Sequence, residues 1–286
     1  MTQSITTKNG PLLILTPNCV VELHKLLSEN YLLFHGMEPI SPSGIKNNNM
    51  LESAVYRQQT GIDKYYKYDT IYKNCASLAY GIIKNHAFHN GNKRTGLLSI
   101  IKHLHSNGYV LNPNLKNGEL YDLIVSIARD DLFGHAKRYT PEYKNIENSK
   151  KDIDELIEYI AYWIKKNSMP KSLYIGQFLK INTLKNILKN KNILYSEEGR
   201  HIVLTEKKAK KIFGILTYDE KVIKRKKYLI GKRKEKIKKS ILDRIRKDFN
   251  LTRSDGVDNV AFYDDKNIMD EEIKKYKSII YRLSKT

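Results

Sequence analysis

The most informative stretch of the chain is His86-Ala87-Phe88-His89-Asn90-Gly91-Asn92-Lys93-Arg94-Thr95-Gly96, which joins two predicted helices. The helix before it, Thr70 to Asn85, carries apolar residues on one face at helical spacing. The helix after it, Asn92 to Asn107, shows the same pattern and is followed by Gly108, a residue typical of the position after a helix C-terminus. Helical spacing also predicts helices from Cys19 to Leu33, with Asn18 as its cap, from Glu119 to Arg129 and from Asp152 to Lys166. An Asn- and Gly-rich loop that opens directly into a helix therefore lies inside a predicted helical bundle.

The chemistry of this loop favours phosphate binding. The N–H groups in the first turn of a helix have no partner within the helix, and the helix dipole adds partial positive charge, so the helix start attracts anions. Gly91 permits close approach of the backbone to a ligand, and Lys93 and Arg94 add two positive charges. His86 is the side-chain type best suited to proton transfer near neutral pH. Together they predict transfer of a phosphoryl or nucleotidyl group.

Each of these residues also has a plainer alternative role. His86 would serve as a helix-end packing residue, and Lys93 and Arg94 as solvated surface. Asn90 and Asn92 would serve only as turn and cap residues. The compact combination of all of them is what favours a chemical function.

The pattern His-x-Phe-x-x-Gly-Asn-Lys-Arg-Thr resembles the active-site motif of the Fic/Doc (Fido) superfamily, specifically its death-on-curing branch. Gly44 to Val55 resembles the flap of that family and the helix after it, and the segments at Asn107-Gly108-Tyr109 and Glu119-Leu120-Tyr121 resemble its later helices. The resemblance covers about residues 10–167 and implies a mainly α fold, a Fido helical bundle with a flap.

The resemblance also implies an activity: the use of ATP, or another phosphate-bearing nucleotide, to modify a hydroxyl of a target protein. His86 would be the general base on a Ser, Thr or Tyr hydroxyl, and Phe88 would anchor the loop in the core. The flap from Ser43 to Asn49 would pair with the target as an added strand. The phosphate-binding residues would be Gly91, Asn92, Lys93, Arg94 and Thr95.

Two departures from the family pattern bear on the reaction. Members that transfer AMP usually have a glycine where Lys93 stands and a second arginine where Leu97 stands. The death-on-curing branch, similar to this chain at Lys93, transfers the terminal phosphate of ATP, so phosphoryl transfer is the leading prediction and AMP transfer the first alternative. Asn90 replaces the Asp or Glu that holds Mg²⁺ in many members, and an amide oxygen is a weaker Mg²⁺ ligand than a carboxylate. Mg²⁺ is expected, held by Asn90 or mainly by the phosphates.

Composition restricts the class of protein. Hydrophobic residues make up 41% of the chain, enough for a core, and no apolar run approaches the roughly 18 residues that span a bilayer, so no membrane is expected as a partner. Cys19 and Cys75 are too few for a disulfide scaffold or a cysteine-rich zinc site, which indicates a reducing cytoplasm. We therefore expect a cytoplasmic protein with a polyanionic ligand, because its net charge is +20.

The positive charge is concentrated in the second half. Residues 141–286 contain 36 Lys and Arg against 21 Asp and Glu, whereas residues 1–140 contain 15 against 10. A proline after a helical pattern, at Lys165 to Pro170, marks the boundary. We therefore expect a transferase domain over residues 1–167 and a smaller basic α+β domain over residues 168–286. Within the second domain the sequence predicts a hairpin of two strands, Ile193 to Ser196 and His201 to Thr205. It also predicts amphipathic helices from Lys234 to Phe249 and from Asp270 to Leu283, the latter preceded by a docking loop that begins at Gly256.

The densest basic tract of the second half begins with Lys224-Arg225-Lys226-Lys227. Clustered Lys and Arg are typical of nucleic-acid or ribosome contact, but they also occur as a solvated surface or in a target-docking module. The second alternative function is therefore a binding protein for RNA, DNA or the ribosome with an inactive Fido domain. The expected target is a cytoplasmic protein, with a translation factor as the candidate. The chain lacks the inhibitory Ser/Thr-x-x-x-Glu-Gly/Asn helix that some family members carry, so control would come from a separate antitoxin-like protein or from the second domain.

Overall fold

The computed structural model describes nine stretches of the chain: residues 2–29, 39–63, 65–146, 152–171, 178–212, 215–230, 236–252, 269 and 272–286. The chain divides into two compact units. The first consists of Met1–Ser172 and Met269–Thr286, and the second of Leu173–Ile268. Within the described stretches, no helix has both the length and the apolar character needed to cross a membrane.

The first unit is mainly helical. It opens with an antiparallel hairpin of β1 (Thr2–Thr7) and β2 (Gly10–Leu15). Its helices up to the unit boundary are α1 (Pro17–Glu29), α2 (Asn48–Tyr56), α3 (Ile71–Lys84), α4 (Asn92–Ser106), α5 (Asn117–Arg129), α6 (Leu132–Tyr139) and α7 (Ile153–Lys166). A single 3-10 turn, Arg57–Gln59, follows α2. The short strands β3 (Gly61–Ile62) and β4 (Tyr65–Tyr66) pair with each other, and β5 (Tyr109–Leu111) pairs with β6 (Ser168–Pro170).

Helices α3 and α4 form the centre of this unit. Residues 74–83 of α3 and 94–106 of α4 are all buried, so the other helices cover these two on every side. A glycine lets them approach closely, because a Cβ added at Gly96 would lie 2.5 Å from Ile83 Cγ1. The loop between them is therefore held at both ends by the most buried part of the fold.

Buried polar side chains tie the hairpin to the central helices. Gln58 accepts a hydrogen bond from Leu15 N at 3.1 Å and donates to Leu15 O at 2.9 Å. Asn74 Nδ2 donates to Gln58 O at 2.8 Å, and Asn74 Oδ1 lies 3.0 Å from His103 Nε2. Burial lowers the pKa of His103 to about 3, so His103 is neutral at pH 7 and donates through Nε2. These contacts satisfy polar groups that would otherwise destabilise the core.

The predicted helices starting near residues 70, 92, 119 and 152 are confirmed, each within about two residues, the usual uncertainty of helix ends. The β1–β2 hairpin and α6 were not predicted. The hairpin is short, and the closely spaced polar residues of Thr2–Thr7 obscure its alternation. Helix α6 has only eight residues, too few for a clear periodic pattern.

The start of α1 differs from the sequence-based prediction. Asn18 was expected to cap a helix from Cys19 to Leu33, but the helix begins at Pro17. Thr16 Oγ1 accepts from Cys19 N at 3.3 Å and is the cap. Proline is favoured in the first turn because its missing N–H would have no helical partner there. Residues 30–33 of that prediction lie outside the described part of the chain.

The second unit is a small α+β fold with its own core. Its elements are β7 (Phe178–Lys180), α8 (Ile181–Asn190), β8 (Ile193–Glu198), β9 (His201–Ile212), β10 (Ile215–Leu229), β11 (Lys236–Lys238) and α9 (Lys239–Asp248). Strands β8, β9 and β10 form an antiparallel sheet in the order β10-β9-β8, and β7 pairs with β11. The helix predicted from Lys234 to Phe249 was wrong at its start, because Lys236–Lys238 pairs as a strand with β7.

The end of the chain returns to the first unit. Helix α10 (Lys277–Ser284) and the residues before it bury one apolar face in the core of the first unit. The residues on that face are Met269, Ile273, Tyr276, Ile279, Ile280 and Leu283. This division therefore differs from the boundary expected from the sequence, which assigned all of residues 168–286 to a second domain. The loop predicted from Gly256 to residue 268 lies outside the described residues.

Candidate active site

The loop between α3 and α4 folds back on its own side chains. His86 follows the end of α3 with a positive φ of 48°, and its side chain is exposed. Phe88 is only 1% exposed and packs in the core. Asn92 closes the loop, because its Oδ1 accepts from Phe88 N at 3.0 Å and its Nδ2 donates to Phe88 O at 2.9 Å. The side chain of Asn92 therefore shapes the loop. The part of Asn92 that belongs to the anion-binding helix start is its backbone N–H.

The start of α4 has the geometry of an anion cradle. Gly91 precedes the helix with φ 79° and ψ 11°, a left-handed conformation that favours glycine. A Cβ at Gly91 would also lie 3.1 Å from Ile40 Cδ1. The first helical bond runs from Thr95 N to Gly91 O at 2.8 Å, so the N–H groups of residues 92–94 precede the hydrogen-bond ladder of the helix. Such groups are the ones that bind phosphate at helix starts.

Three cations converge at this helix start. Arg94 is 2% exposed, and its Nη2 donates to Asn90 Oδ1 at 3.3 Å. Burial lowers the pKa of Lys93, and the positive charges of Arg129 and Arg94 lower it further. Positive charges that lie close enough to lower the pKa of a neighbouring lysine also stabilise an anion placed among them. Arg129 ends α5 and was not predicted, because no local pattern links residues 129 and 93.

Asn90 is occupied by hydrogen bonds within the loop. Its Oδ1 accepts from Gly91 N at 2.6 Å and from Arg94 Nη2, while its Nδ2 donates to Ser41 O at 3.4 Å. An amide oxygen that already accepts from two donors, one of them cationic, does not fit a Mg²⁺ ligand. Nor do the described residues contain a group of three or more His, Cys, Asp or Glu side chains arranged to hold a metal. The metal role predicted for Asn90 therefore does not fit this geometry.

The flap, residues 43–49, lies against the loop. Ile45 and Phe88 form an antiparallel bridge, and His89 N donates to Gly44 O at 3.2 Å. Ala87 O accepts from the backbone N–H groups of residues 46 and 47 at 2.8 and 3.1 Å. Asn47 then caps α2 by accepting from Met50 N at 3.1 Å. The flap backbone is therefore fixed next to His86.

A buried histidine that the sequence analysis did not single out joins the flap to the helix start. His24 on α1 is 3% exposed, and its ring stacks on Phe88 with centroids 4.1 Å apart. Its Nε2 accepts from Gly44 N at 3.3 Å, and its Nδ1 lies 3.0 Å from Thr95 Oγ1. Thr95 is fully buried, so its hydroxyl faces His24 and not solvent. The sequence did contain a signal for His24, because it is a polar residue in the apolar face of α1, between Leu23 and Leu27.

The basic tract of the second unit is engaged with acidic and backbone oxygens. On β10, Arg225 and Lys227 both contact Glu198, at 2.9 and 3.0 Å. Lys224 Nζ donates to Asp248 O at 2.5 Å. Three of the four residues predicted as a nucleic-acid site therefore have partners within the unit, although a single carboxylate offsets only part of their positive charge.

A separate groove of about 770 Å³ lies between α8 and the β8–β9 pair, and its lining residues come earlier in the sequence than the basic tract. Lys185 Nζ lies 4.7 Å from the centroid of the Tyr195 ring and 3.0 Å from Glu197 Oε1. Lys189, Lys207 and the half-exposed Leu194 also line the groove. Lysines beside an aromatic ring are the side chains that bind single-stranded nucleic acids.

Comparison with known proteins shows what the helical region is similar to. Residues 14–104 match the model of the Fic/DOC family, a range that contains α1, the flap, the loop and nearly all of α4. The chain is also similar to Toxin Doc of Mycolicibacterium smegmatis, with 29% identity over 87 residues, which cover 30% of this chain and 67% of that protein. Both matches confirm the resemblance to the Fic/DOC family over residues 14–104.

Proposed function

We propose that this chain is a toxin-type transferase that moves a phosphoryl group from ATP to a hydroxyl side chain of a cytoplasmic protein. The observation that carries the proposal is the loop of residues 86–92, which has an exposed histidine at one end and an anion cradle at the other. The Fic/DOC match and the similarity to Toxin Doc support a transferase, and the name of that relative supports a toxin with a separate antitoxin.

The helix start would bind the phosphates of ATP. The backbone N–H groups of residues 92–94 point out of the first turn of α4, and Lys93, Arg94 and Arg129 supply positive charge around them. In phosphoryl transfer, negative charge spreads over the equatorial oxygens of the transferred group, so preorganised donors and cations stabilise the transition state. Thr95 fits a different role from the predicted phosphate contact, because its hydroxyl bonds His24.

His86 would act as the general base. Its exposed imidazole is accessible to a protein substrate. It would take the proton from the target hydroxyl while that oxygen bonds to the terminal phosphorus of ATP. The bond from this phosphorus to the bridging oxygen breaks, ADP leaves, and His86 then gives its proton to solvent. The flap beside His86 would hold the target segment by main-chain hydrogen bonds.

Lys93 favours phosphoryl transfer over AMP transfer. Its side chain is partly buried at the helix start, in the position where the AMP-transferring pattern has a glycine. A long side chain there occupies space that a nucleotide bound in the other sense would need. Transfer of AMP by the same loop is the alternative, and its targets would be hydroxyl groups too.

The test is intact-mass spectrometry of the proteins of a cell lysate after incubation with the enzyme and ATP. We expect a target protein, with a translation factor as the candidate, to gain the mass of one phosphate. A gain of the mass of one AMP would establish the alternative. No gain in any protein would contradict the proposed function.

A second function is proposed for the basic unit, on the evidence of the groove beside Tyr195. Its lysines and aromatic ring support contact with RNA or DNA, as in proteins that bind single strands by stacking and charge. The groove supports this role better than the predicted tract at residues 224–227, because Tyr195 in the groove is partly exposed, whereas Tyr228 beside the tract is buried.

A further inference from the structure

We propose that His24 is a positioning residue of the transfer site, because it bonds the flap with one ring nitrogen and the phosphate-binding helix with the other. This inference rests on the proposed function of the same site. It adds a residue from α1, an element that contains none of the motif residues. The consequence would be a fixed distance between the strand that holds the target and the helix start that holds ATP.

The hydrogen bonds determine the tautomer of His24. A peptide N–H can only donate, so Nε2, which lies 3.3 Å from Gly44 N, must be the unprotonated acceptor. Nδ1 then carries the proton and donates to Thr95 Oγ1 at 3.0 Å. Both ring nitrogens are used, and each bonds a different part of the site.

The surroundings of the ring preserve this neutral state. Burial lowers the pKa of His24 to about 4, and the nearby charge of Arg94 lowers it further. One face of the ring is stacked on Phe88 at an angle of 14°. A Cβ on Gly91 would lie 3.4 Å from His24 Cε1, so the start of α4 also packs against the ring. The ring therefore has a single orientation, in which both bonds form.

His24 would determine the distance between the flap and the start of α4, and it would not take part in the chemical step itself. Transfer requires the target oxygen and the terminal phosphate to be placed within a fraction of an ångström, and small errors of placement are costly. The flap carries the target in the proposed function, while the start of α4 carries the phosphate. Without His24, the flap would keep its bonds to the backbone of residues 87–89 but lose the bond that joins it to α1 and α4.

The test compares three variants of the full chain. His24→Phe keeps a ring that stacks on Phe88 but removes both hydrogen bonds. Thr95→Val removes only the acceptor of Nδ1, and His24→Gln places an amide within reach of Gly44 as a partial rescue. We expect His24→Phe to lower kcat/KM for the protein target about tenfold, because the bond that holds the flap to the helix start is lost, while the Kd of ATP stays near that of the unmodified protein. His24→Gln should recover part of the loss.

A spectroscopic measurement separates this inference from the proposed function. In the unmodified protein, ¹⁵N NMR should show the His24 ring protonated at Nδ1, with a slowly exchanging Gly44 amide. His24→Phe should accelerate exchange at Gly44, and Thr95→Val should leave it slow. Protonation at Nε2, or equal Gly44 exchange in the unmodified protein and His24→Phe, would overturn the inference. Absence of transfer by the unmodified protein would contradict the proposed function and leave the NMR result to decide the role of His24.

Discussion

The two units of this chain use positive charge differently. Residues 173–268 contain 25 Lys and Arg against 12 Asp and Glu, whereas the rest of the chain contains 26 against 19. Yet the densest tract of the basic unit is largely bonded to Glu198 and to the backbone at Asp248. In the helical unit, the positive charges of Arg94 and Arg129 act on Lys93, which lies in the first turn of α4 beside the N–H groups that precede its hydrogen-bond ladder.

The difference shows that charge density along a sequence is a weaker indicator of a binding site than convergence in space. Neighbouring residues on a strand point to opposite faces, so a run such as residues 224–227 divides its charge between two surfaces. A helix start brings N–H groups, a dipole and adjacent side chains to one point. The following predictions test whether the helix start is the functional site and the tract is not.

The largest expected effect comes from the base. His86→Ala should lower the rate of transfer by about 10² to 10⁴, the usual loss for a positioned base, and leave the Kd of ATP unchanged. The matched control is His89→Ala in the same loop, because the His89 side chain is exposed and its backbone bond to Gly44 would remain. Full activity in His86→Ala, or equal losses in both variants, would contradict the assignment. Single-turnover kinetics and calorimetry make the measurement.

Charge at the helix start should have the next largest effect. Arg94→Ala should weaken ATP binding by about 1.5–3 kcal/mol, or roughly ten- to a hundredfold, because a charge-assisted contact is lost. Lys226→Ala on the exposed surface of β10 should change nothing. Since Arg94 is buried, Arg94→Lys and the Tm of each variant control for damage to the fold. Identical calorimetric affinities for the unmodified protein and Arg94→Ala would exclude a phosphate cradle here.

Asn90 should have a smaller effect that does not depend on metal. Asn90→Ala removes the acceptor of Gly91 N and of Arg94 Nη2, so ATP binding should weaken by about 1 kcal/mol, roughly fivefold. The same loss is expected with Mg²⁺ and with the chelator EDTA. If the loss appeared only with Mg²⁺, Asn90 would be a metal ligand after all.

The smallest effect concerns nucleic acid and the two candidate surfaces of the basic unit. Affinity of the full chain for a single-stranded oligonucleotide should fall with salt as counterions are released. Gln at Lys185, Lys189 and Lys207 should flatten this dependence, whereas Gln at Lys224, Arg225, Lys226 and Lys227 should change it less. Filter binding at two salt concentrations measures both. A larger change from the second set would restore the tract as the site, and neither set should alter transfer.

Local patterns were sufficient to predict the helical unit and its loop. The apolar faces of α3 and α4, and the glycine and histidine between them, are encoded within about 35 consecutive residues, and the structure has them at nearly the predicted bounds. The β8–β9 hairpin was predicted for the same reason. The strands are longer than expected, because their outer ends consist of charged residues with little alternation.

Contacts between distant residues were not predictable in this way. His24 and Thr95 are 71 positions apart, and their bond depends on the packing of α1 against α4. The influence of Arg129 on Lys93 likewise depends on packing between distant parts of the chain. For α10, the sequence indicated an apolar face but not that this face packs in the core of the first unit. The hydrogen bond from Arg94 to Asn90 depends on side-chain geometry that a motif does not contain.

The central claim is that this loop transfers the terminal phosphate of ATP, and labelled ATP tests it most directly. Lysate proteins are incubated with the unmodified enzyme and ATP labelled at either the α- or the γ-phosphate, with His86→Ala as the control. The account predicts that the unmodified enzyme adds protein-bound label, above that of the lysate alone, from γ-labelled ATP only, and that His86→Ala adds none. Lys93→Gly should lose this transfer and gain weak α-label, since the glycine frees the space of the lysine side chain. Label from α-labelled ATP on protein with the unmodified enzyme would contradict the account.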